Sequence, residues 1–363
     1  MKATYEPTEA DRTRAAVEKL VRGQPMTATD FAELLAGYGN PQITQLLARE
    51  AVRTREQYYG RKVYTRGLIE FTNYCKNNCY YCGIRGANRH AVRYRLTKEE
   101  ILECCQEGYG LGFRTFVLQG GEDPFYTDER MAEIIRAVKG AYPDCALTLS
   151  IGEKSRETYR LFREAGADRY LLRHETADPE HYRWLHPQPL TLENRKRCLY
   201  DLKALGYQTG AGMMVGSPGQ TVETLVKDLL FLQDLDPQMV GMGPFIPHHD
   251  TCFAGEPAGS VDLTLYLLSV VRLLLPRVLL PATTALGTLD PLGREKGLAA
   301  GANVVMPNLS PRRNRKNYDL YDNKICTGEE AAEGFESLRR RIAAAGYELV
   351  MERGDYLQEK TSV

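Results

Sequence analysis

The sequence predicts an α/β fold: a complete (β/α)8 barrel of the TIM type with a helical extension at its N-terminus. Apolar runs of strand length alternate with amphipathic stretches of helical period along most of the 363 residues. No Pro/Gly-rich linker divides the chain, and barrels of this class run to about 250 residues or more as one domain. Glycines such as Gly166 and Gly206 stand where helices turn back into strands, as expected at helix C-termini.

Eight segments are predicted to be strands because they are short, apolar and bounded by turn residues. They span residues 67–73, 115–120, 146–151, 169–173, 210–215, 239–246, 279–284 and 303–307. Amphipathic helices are predicted between them, at residues 98–111, 130–141, 155–165, 192–205, 222–235 and 263–274. Apolar strands that alternate with helices imply parallel pairing, as in a barrel.

Three regions of the chain are expected. Residues 1–60 are predicted to be a helical extension that covers one end of the barrel, with Pro41 at the start of a helix. Residues 61–325 are predicted to form the barrel. Residues 326–363 are expected to form a C-terminal helix and a tail packed on the barrel.

Composition limits the partners and the compartment. Lysine plus arginine and aspartate plus glutamate number 47 each, so the charge balance offers no basic surface for nucleic acid. The most apolar stretch, residues 263–280, is interrupted by arginines and a proline, which argues against a membrane span. Nine cysteines without a secretion signal indicate a reducing compartment. We therefore expect a cytoplasmic protein with neither a nucleic-acid nor a membrane partner.

The most informative motif is a group of three cysteines after the first predicted strand. Cys75, Cys79 and Cys82 have C-x3-C-x2-C spacing. A 4Fe-4S cluster normally takes four thiolates, so three cysteines leave one iron open to another ligand. A structural zinc site is the alternative, but such sites close with four ligands in two pairs, and the sequence has no second pair. The spacing therefore favours one open-site cluster, which oxygen would damage.

Polar residues also follow other predicted strands. The second strand ends in Gly120-Gly121-Glu122, where glycines let the backbone approach a ligand and a carboxylate can accept from an ammonium group. Arg173 and Glu175 follow the fourth strand, and a guanidinium matches an anionic substrate group. Because barrels carry their chemistry at the C-terminal ends of the strands, these residues are expected to form one site.

The cysteine motif resembles the hallmark of the radical S-adenosylmethionine (SAM) enzymes, C-x3-C-x-aromatic-C, in which Tyr81 supplies the aromatic residue. The resemblance implies that SAM binds the open iron of a 4Fe-4S cluster. It also implies that an electron from the cluster cleaves SAM to a 5'-deoxyadenosyl radical, so that the cofactors carry the chemistry.

Five motifs together are similar to the HydE family, the radical SAM maturases of FeFe hydrogenase. They are Cys-Lys-Asn-Asn-Cys-Tyr-Tyr-Cys-Gly, Leu-Gln-Gly-Gly-Glu-Asp-Pro, Tyr-Leu-Leu-Arg-His-Glu-Thr, Gly-Pro-Phe-Ile-Pro-His and Pro-Ala-Thr-Thr-Ala. The resemblance spans residues 58–326. Single motifs are shared with biotin synthase and methylornithine synthase.

The resemblance implies roles for particular residues, and no catalytic residue beyond the cluster and SAM. The cluster ligands are Cys75, Cys79 and Cys82, and the SAM-binding residues are Gly120, Gly121, Glu122, Glu175, Arg195 and Tyr81. The substrate-binding residues are Arg173, Thr283, Thr284, Met306, Tyr318 and Tyr321.

The implied substrate is a small iron complex of cysteine that bears carbon monoxide and cyanide. The implied partners are a HydG-like maturase that donates this complex, a HydF-like scaffold that receives the product, and an external electron donor. The resemblance places the reaction in the assembly of the di-iron unit of the hydrogenase active site.

Further metal sites are not expected. Some members of the family carry a second cluster on three C-terminal cysteines, whereas no cysteine follows Cys326 here. Cys252 is isolated. His248 and His249 are adjacent, and neighbouring side chains in an extended backbone point in opposite directions, which argues against a shared metal.

Two other functions stay open from the sequence. A radical SAM amino-acid mutase similar to methylornithine synthase would turn over free lysine without an iron complex. A non-catalytic carrier of iron complexes would bind SAM without cleaving it.

Overall fold

The structure is a computed structural model that describes residues 8–325 and 334–358. Its strands are β1 (Lys62–Thr65), β2 (Gly67–Thr72), β3 (Thr115–Gly120), β4 (Ala146–Ser150), β5 (Arg169–Leu171), β6 (Gln208–Ala211), β7 (Met214–Val215), β8 (Met239–Val240), β9 (Gly243–Pro244), β10 (Val304–Val305) and β11 (Glu348–Val350). Its helices are α1 (Glu9–Val21), α2 (Ala28–Ala36), α3 (Pro41–Tyr59), α4 (Lys98–Gly110), α5 (Asp128–Ala141), α6 (Arg156–Ala165), α7 (Pro179–Leu185), α8 (Leu192–Ala204), α9 (Val222–Leu235), α10 (Val261–Leu274), α11 (Thr284–Leu289), α12 (Gly293–Ala299), α13 (Arg312–Arg315) and α14 (Phe335–Ala344). Within the described ranges, no helix is long and apolar enough to cross a bilayer.

The central sheet is parallel. Six strands pair in the order β2-β3-β4-β5-β6-β8, with helices between them along the chain. Isolated parallel bridges join Met239 to Leu279, Pro281 to Val304 and Leu68 to Asn308. The pairing therefore continues from β8 through residues 279–281 and 304–308 and returns to β2, as a (β/α)8 barrel requires. The predicted α/β fold class is confirmed. The segments at 279–281 and 304–308 join their neighbours in this sheet by single bridges rather than by regular ladders.

Two predicted strands are interrupted, and glycines explain why. The segment predicted at 210–215 forms β6 and β7, which are separated at Gly212. A Cβ at Gly212 would lie 1.9 Å from the carbonyl oxygen of Gly241, so these backbones meet more closely than side chains allow. The segment predicted at 239–246 likewise divides into β8 and β9. β7 and β9 form a separate parallel pair near the mouth of the barrel.

The C-terminal residues close the N-terminal end of the barrel. β1 pairs with both β10 and β11, neither β1 nor β11 having been predicted. Beyond β11, the Arg353 carbonyl accepts a hydrogen bond from Thr115 Oγ1 (2.8 Å) and another from Arg169 Nη2 (2.8 Å). Asp355 accepts from Arg169 Nη2 at 2.7 Å. Because Thr115 and Arg169 are the first residues of their strands, this segment covers that end.

The N-terminal helices lie elsewhere, so the expectation that they cover a barrel end is wrong. Helix α3 packs against α10, and α2 packs against α9, both in the outer layer of the barrel. The buried face of α2 is formed by Phe31, Leu34 and Leu35. An apolar face of this kind is stabilised by packing on other helices rather than on polar strand ends. The boundaries of the three regions stay predictions.

The pair of Arg169 and Asp355 gives a prediction on pH. The Arg169 side chain is fully buried, whereas that of Asp355 is 40% exposed. Burial alone would raise the pKa of Asp355, but the charge of Arg169 and several hydrogen bonds lower it to about 2. Because the unfolded value is about 3.9, the pair stabilises the fold above about pH 4 and loses this contribution as the pH falls toward 2. Asp355→Asn is expected to lower the free energy of unfolding by about 1–2 kcal/mol at neutral pH, because solvent screens a carboxylate that is partly exposed. The change should shrink in acid.

Urea titrations followed by circular dichroism at several pH values would measure this. Glu352→Gln is the control, because it removes an ion pair with Lys62 in which both side chains are about half exposed and should change stability by less than about 1 kcal/mol. An Asp355→Asn variant as stable as the wild type at neutral pH would contradict the prediction.

Candidate active site

The loop after β2 carries the three motif cysteines to the C-terminal end of the strands. Cys75, Cys79 and Cys82 are unbridged and partly exposed. Burial raises the pKa of Cys82, and the charges of Cys79 and Cys75 raise it further. Burial also raises the pKa of Cys79 to about 12, which the Arg195 guanidinium opposes. One loop therefore carries three free cysteines, which a bound metal would hold as thiolates.

Arg93 holds this loop in shape, a role that the sequence analysis missed. Its guanidinium donates hydrogen bonds to four backbone carbonyls, those of Asn73, Ile84, Arg85 and Asn88. The bonds to Ile84, Arg85 and Asn88 measure 2.8, 2.6 and 3.0 Å. One side chain therefore ties the end of β2 to the segment that follows the last motif cysteine.

The glycine pair after β3 allows the backbone to pass against the cysteine loop. A Cβ at Gly121 would lie 2.2 Å from the carbonyl oxygen of Tyr74 and 2.7 Å from Cys75 Cβ. A Cβ at Gly120 would lie 2.7 Å from Thr72 Cγ2. Both contacts are shorter than real Cβ atoms tolerate. These glycines were predicted because they let the backbone approach a ligand. The structure shows that the neighbouring cysteine loop also requires glycine at both positions.

Glu122 lies in a buried position beside this pair. Its Oε1 accepts a hydrogen bond from the Glu153 backbone N–H at 2.8 Å, and Lys76 Nζ lies 3.3 Å from its Oε2. Only 6% of Glu122 is exposed, whereas the Lys76 side chain is 56% exposed. The carboxylate is therefore fixed on one side and faces an ammonium group on the other.

Arg195 is brought into the same site from helix α8. Its Nε lies 2.5 Å from Glu153 Oε1, and its Nη1 donates to the Arg173 carbonyl at 2.6 Å. Burial alone would lower its pKa, but the neighbouring Tyr182 and Glu153 raise it, so the guanidinium stays charged. Glu153, which follows β4, is thus the carboxylate that holds Arg195 in place.

Glu175 adopts a backbone conformation that side chains rarely take. Its φ is 65°, and its N–H donates to the Gly212 carbonyl at 3.0 Å. Its Oε2 lies 3.0 Å from Arg173 Nη2. Beside it, the fully buried His174 and Asp228 face each other at 3.3 Å, with His174 accepting from the Gly212 N–H. Asp228, which the sequence analysis missed, therefore supports the turn that presents Arg173 and Glu175.

Tyr81 is oriented by a histidine. Its hydroxyl lies 3.1 Å from His186 Nε2, and His186 Nδ1 lies 3.0 Å from the Tyr182 carbonyl oxygen. Burial lowers the pKa of His186 to about 3, so its ring is neutral. Since the carbonyl can only accept, Nδ1 carries the proton and Nε2 accepts from Tyr81.

The polar residues predicted to bind substrate include groups without partners. Arg173 Nε and Thr283 Oγ1 are buried and form no hydrogen bond with the described residues, whereas Arg173 Nη2 is paired with Glu175. Thr283 precedes helix α11, which Thr284 begins, but its hydroxyl does not cap that helix. A ligand with acceptor atoms would satisfy these donors.

The remaining predicted substrate residues are less closely grouped. Tyr321 lies near Arg173, whose charge acts on its hydroxyl, and burial raises its pKa. Tyr318 is 2% exposed, and its hydroxyl bonds to Gln119 at the end of β3. Met306 packs instead against a buried apolar cluster that includes Met239.

His248 and His249 do not point in opposite directions, so that argument is wrong. Their rings stack with centroids 4.3 Å apart and planes 20° apart, and Asp322 lies close to both. A metal must lie near the plane of each imidazole that binds it, and stacked rings do not allow this. His248 Nδ1 also accepts from the Asp250 N–H, and His249 Nδ1 lies 2.6 Å from Asp322 Oδ1.

Of the two isolated cysteines, only Cys252 lies among the residues that the structure describes. Cys252 is exposed, and its Sγ lies 3.5 Å from the Tyr80 carbonyl oxygen in the cysteine loop. Cys326, on which the expectation about a second cluster rested, lies outside the described residues.

Comparison with known proteins gives the family. Residues 69–232 match the family model of the radical SAM superfamily. The chain is 48% identical over 317 residues to the FeFe hydrogenase maturase subunit HydE of Thermotoga maritima, a match that covers 87% of this chain and 90% of that protein. The chain belongs to the HydE family of radical SAM enzymes. A non-catalytic carrier is therefore no longer a candidate.

Other members of the superfamily are also similar to this HydE-family chain. It is 32% identical over 331 residues to 3-methylornithine synthase of Methanosarcina barkeri, covering 91% of this chain and 92% of that protein. The crystal structure of methylornithine synthase (PylB) superimposes with a TM-score of 0.80 at 29% identity, over 92% of this chain and 97% of the other. A structure of HydG, at 19% identity and a TM-score of 0.78 over 94% of this chain and 76% of the other, shows the same fold.

Radical SAM enzymes use a 4Fe-4S cluster and SAM, and the residues present here fit both cofactors. The three motif cysteines lie in one loop, are unbridged and are partly exposed, which fits a cluster with one open iron. Glu122 already faces an ammonium group, and Arg195 is a buried cation, which fits the zwitterionic end of SAM.

Proposed function

We propose that this radical SAM enzyme is a maturase of FeFe hydrogenase. Its substrate is a cysteine-bound iron complex that carries carbon monoxide and cyanide, and its reaction is an early step toward the di-iron unit. The observation that carries this proposal is the 48% identity to HydE over 87% of the chain, against 32% to 3-methylornithine synthase.

In this proposal Cys75, Cys79 and Cys82 hold the 4Fe-4S cluster and leave one iron open to SAM. Bound and reduced, these cofactors supply a 5'-deoxyadenosyl radical at the mouth of the barrel. The protein itself holds the cofactors and the substrate in position. Arg93 fixes the cysteine loop, and the parallel strands hold the substrate residues beneath it.

The residues proposed to bind SAM surround the cysteine loop. Glu122 accepts from the ammonium group, a role supported by Lys76 Nζ, itself an ammonium, at 3.3 Å from this carboxylate. Arg195 binds the carboxylate of SAM, and Glu175 accepts from the ribose hydroxyls. The other residues proposed for this site are Gly120, Gly121 and Tyr81.

An anionic substrate is supported by the donors that lack partners. Arg173 Nε and the Thr283 hydroxyl are buried donors without a hydrogen bond to the described residues, and acceptors such as cyanide or carboxylate would satisfy them. The other residues proposed to line this site are Thr284, Met306, Tyr318 and Tyr321. A HydG-like donor of the iron complex, a HydF-like acceptor of the product and an external electron donor complete the proposal.

The decisive experiment is anaerobic. The protein is reconstituted with iron and sulfide, reduced with dithionite and supplied with SAM, and 5'-deoxyadenosine is measured with and without the synthetic iron-carbonyl-cyanide-cysteine complex. We expect 5'-deoxyadenosine to form faster with the complex, because substrate binding places the acceptor of the radical. If 5'-deoxyadenosine forms at the same rate with and without the complex, the proposed substrate is wrong, but the chain is still a radical SAM enzyme.

An amino-acid mutase is the second candidate, because the structure of methylornithine synthase superimposes over 92% of this chain. It predicts that free lysine stimulates SAM cleavage and is converted to an isomer. The same assay with lysine in place of the iron complex, followed by mass spectrometry of the amino acid, separates the two candidates.

A further inference from the structure

Tyr182 has a buried hydroxyl without a partner. It lies on α7 and is 0% exposed, yet its hydroxyl forms no hydrogen bond with the described residues. A buried hydroxyl without a hydrogen bond destabilises a fold, because it loses its bonds to water and gains none. Other buried tyrosines are satisfied, for example Tyr207, whose hydroxyl donates to the Tyr159 carbonyl at 2.6 Å, and Tyr94, which donates to the Glu70 carbonyl at 2.7 Å. The exception indicates a partner that is not part of the chain.

The surroundings of Tyr182 are those of the cofactor site. Its ring stacks on His186 at 4.0 Å, the residue that orients Tyr81 of the cysteine motif. The centre of its ring lies 6.0 Å from Arg195 Cζ. Burial raises the pKa of Tyr182, and the charged groups that act on it are Arg195, Glu153, Cys79 and Glu175. The phenol thus stays protonated at neutral pH, and its ring lies near both His186 and Arg195.

We propose that the Tyr182 hydroxyl donates a hydrogen bond to the carboxylate of bound SAM. The inference rests on the proposed placement of SAM beside Arg195. A carboxylate is the acceptor that suits both groups, because it has lone pairs enough for a guanidinium and a hydroxyl together. Tyr182 is then a cofactor-binding residue that neither the cysteine motif nor the spacing of the strand ends reveals.

The test is Tyr182→Phe in the anaerobically reconstituted, unreduced protein, in which SAM binds without being cleaved. We expect the dissociation constant of SAM, measured by calorimetry, to rise by about three- to tenfold, the effect of one lost hydrogen bond. Iron content should be unchanged. The thermal midpoint without SAM should stay equal or rise, because the variant removes a hydroxyl that has no partner in the fold.

Tyr207→Phe is the matched control. It also removes one buried hydroxyl, but one that donates within the fold, so it should lower the thermal midpoint and leave SAM affinity unchanged. 5'-Methylthioadenosine, which lacks the amino-acid part of SAM, should bind wild type and Tyr182→Phe equally.

Three results would overturn the proposal: unchanged SAM affinity in Tyr182→Phe, a loss of stability like that of Tyr207→Phe, or an equal loss of affinity for 5'-methylthioadenosine. The first of these leaves the proposed function untouched, because the wild type binds SAM in the same titration. A wild type that does not bind SAM would instead contradict the proposed cofactor site itself.

Discussion

Cys79→Ala is expected to abolish cluster binding while the barrel stays folded. The three motif cysteines lie in one loop and are unbridged, and a cluster held by three thiolates cannot keep its geometry on two. Cys79 lies in a loop after β2 and in none of the strands or helices, so its loss removes no element of the sheet. Iron and sulfide after anaerobic reconstitution should fall to background, and SAM cleavage should fall by a factor of about a thousand or more.

Cys252→Ala is the control for this variant. Its thiol lies next to the same loop, 3.5 Å from the Tyr80 carbonyl oxygen, but outside the three-cysteine motif. Its iron content and SAM cleavage should match those of the wild type, and the far-ultraviolet circular dichroism of both variants should be unchanged. Full iron and sulfide content in Cys79→Ala would remove that residue from the ligands.

Most of the fold could be predicted from the sequence because periodicity is a local property. β2, β3 and β4 begin at the predicted residue and end within one residue of the predicted end. β1 and β11 were missed because they have four and three residues and exist through pairing between distant parts of the chain. The place of the N-terminal helices was also missed, since an apolar helix face indicates that it is buried but not against which surface.

Motifs gave the cysteines and the strand-end residues, but not the side chains that support them. Arg93 bonds to backbone carbonyls 5 to 20 residues away, and Asp228 bonds to Ala177, which is 51 residues away, and motif spacing reveals neither contact. A signal existed for each. No acidic residue stands between residues 71 and 98, which leaves Arg93 without a nearby carboxylate, and Asp228 interrupts the apolar pattern of α9. Stacking of His248 and His249 depends on the local turn, so an extended backbone was the wrong assumption.

Arg173→Ala is expected to weaken substrate binding strongly and to leave SAM cleavage without substrate intact. Arg173 Nε is buried and has no hydrogen-bond partner among the described residues, Nη2 is paired with Glu175, and the side chain is one-third exposed. Hydrogen bonds to charged groups contribute about 1.5–3 kcal/mol, so the dissociation constant of the iron complex should rise by about ten- to a hundredfold. Anaerobic titration of the complex would measure this.

Two further variants separate substrate binding from disturbance of Glu175, which lies 3.0 Å from Arg173. Arg173→Lys keeps a charge beside Glu175 but loses the planar fork of the guanidinium. Its affinity for SAM should therefore equal that of the wild type, and its affinity for the complex should lie between those of the wild type and Arg173→Ala. Arg183→Ala changes an exposed arginine on α7 and should alter neither. If Arg173→Ala binds the complex as tightly as the wild type, Arg173 is not a substrate ligand, and the anionic site must be sought among the other donors of the barrel.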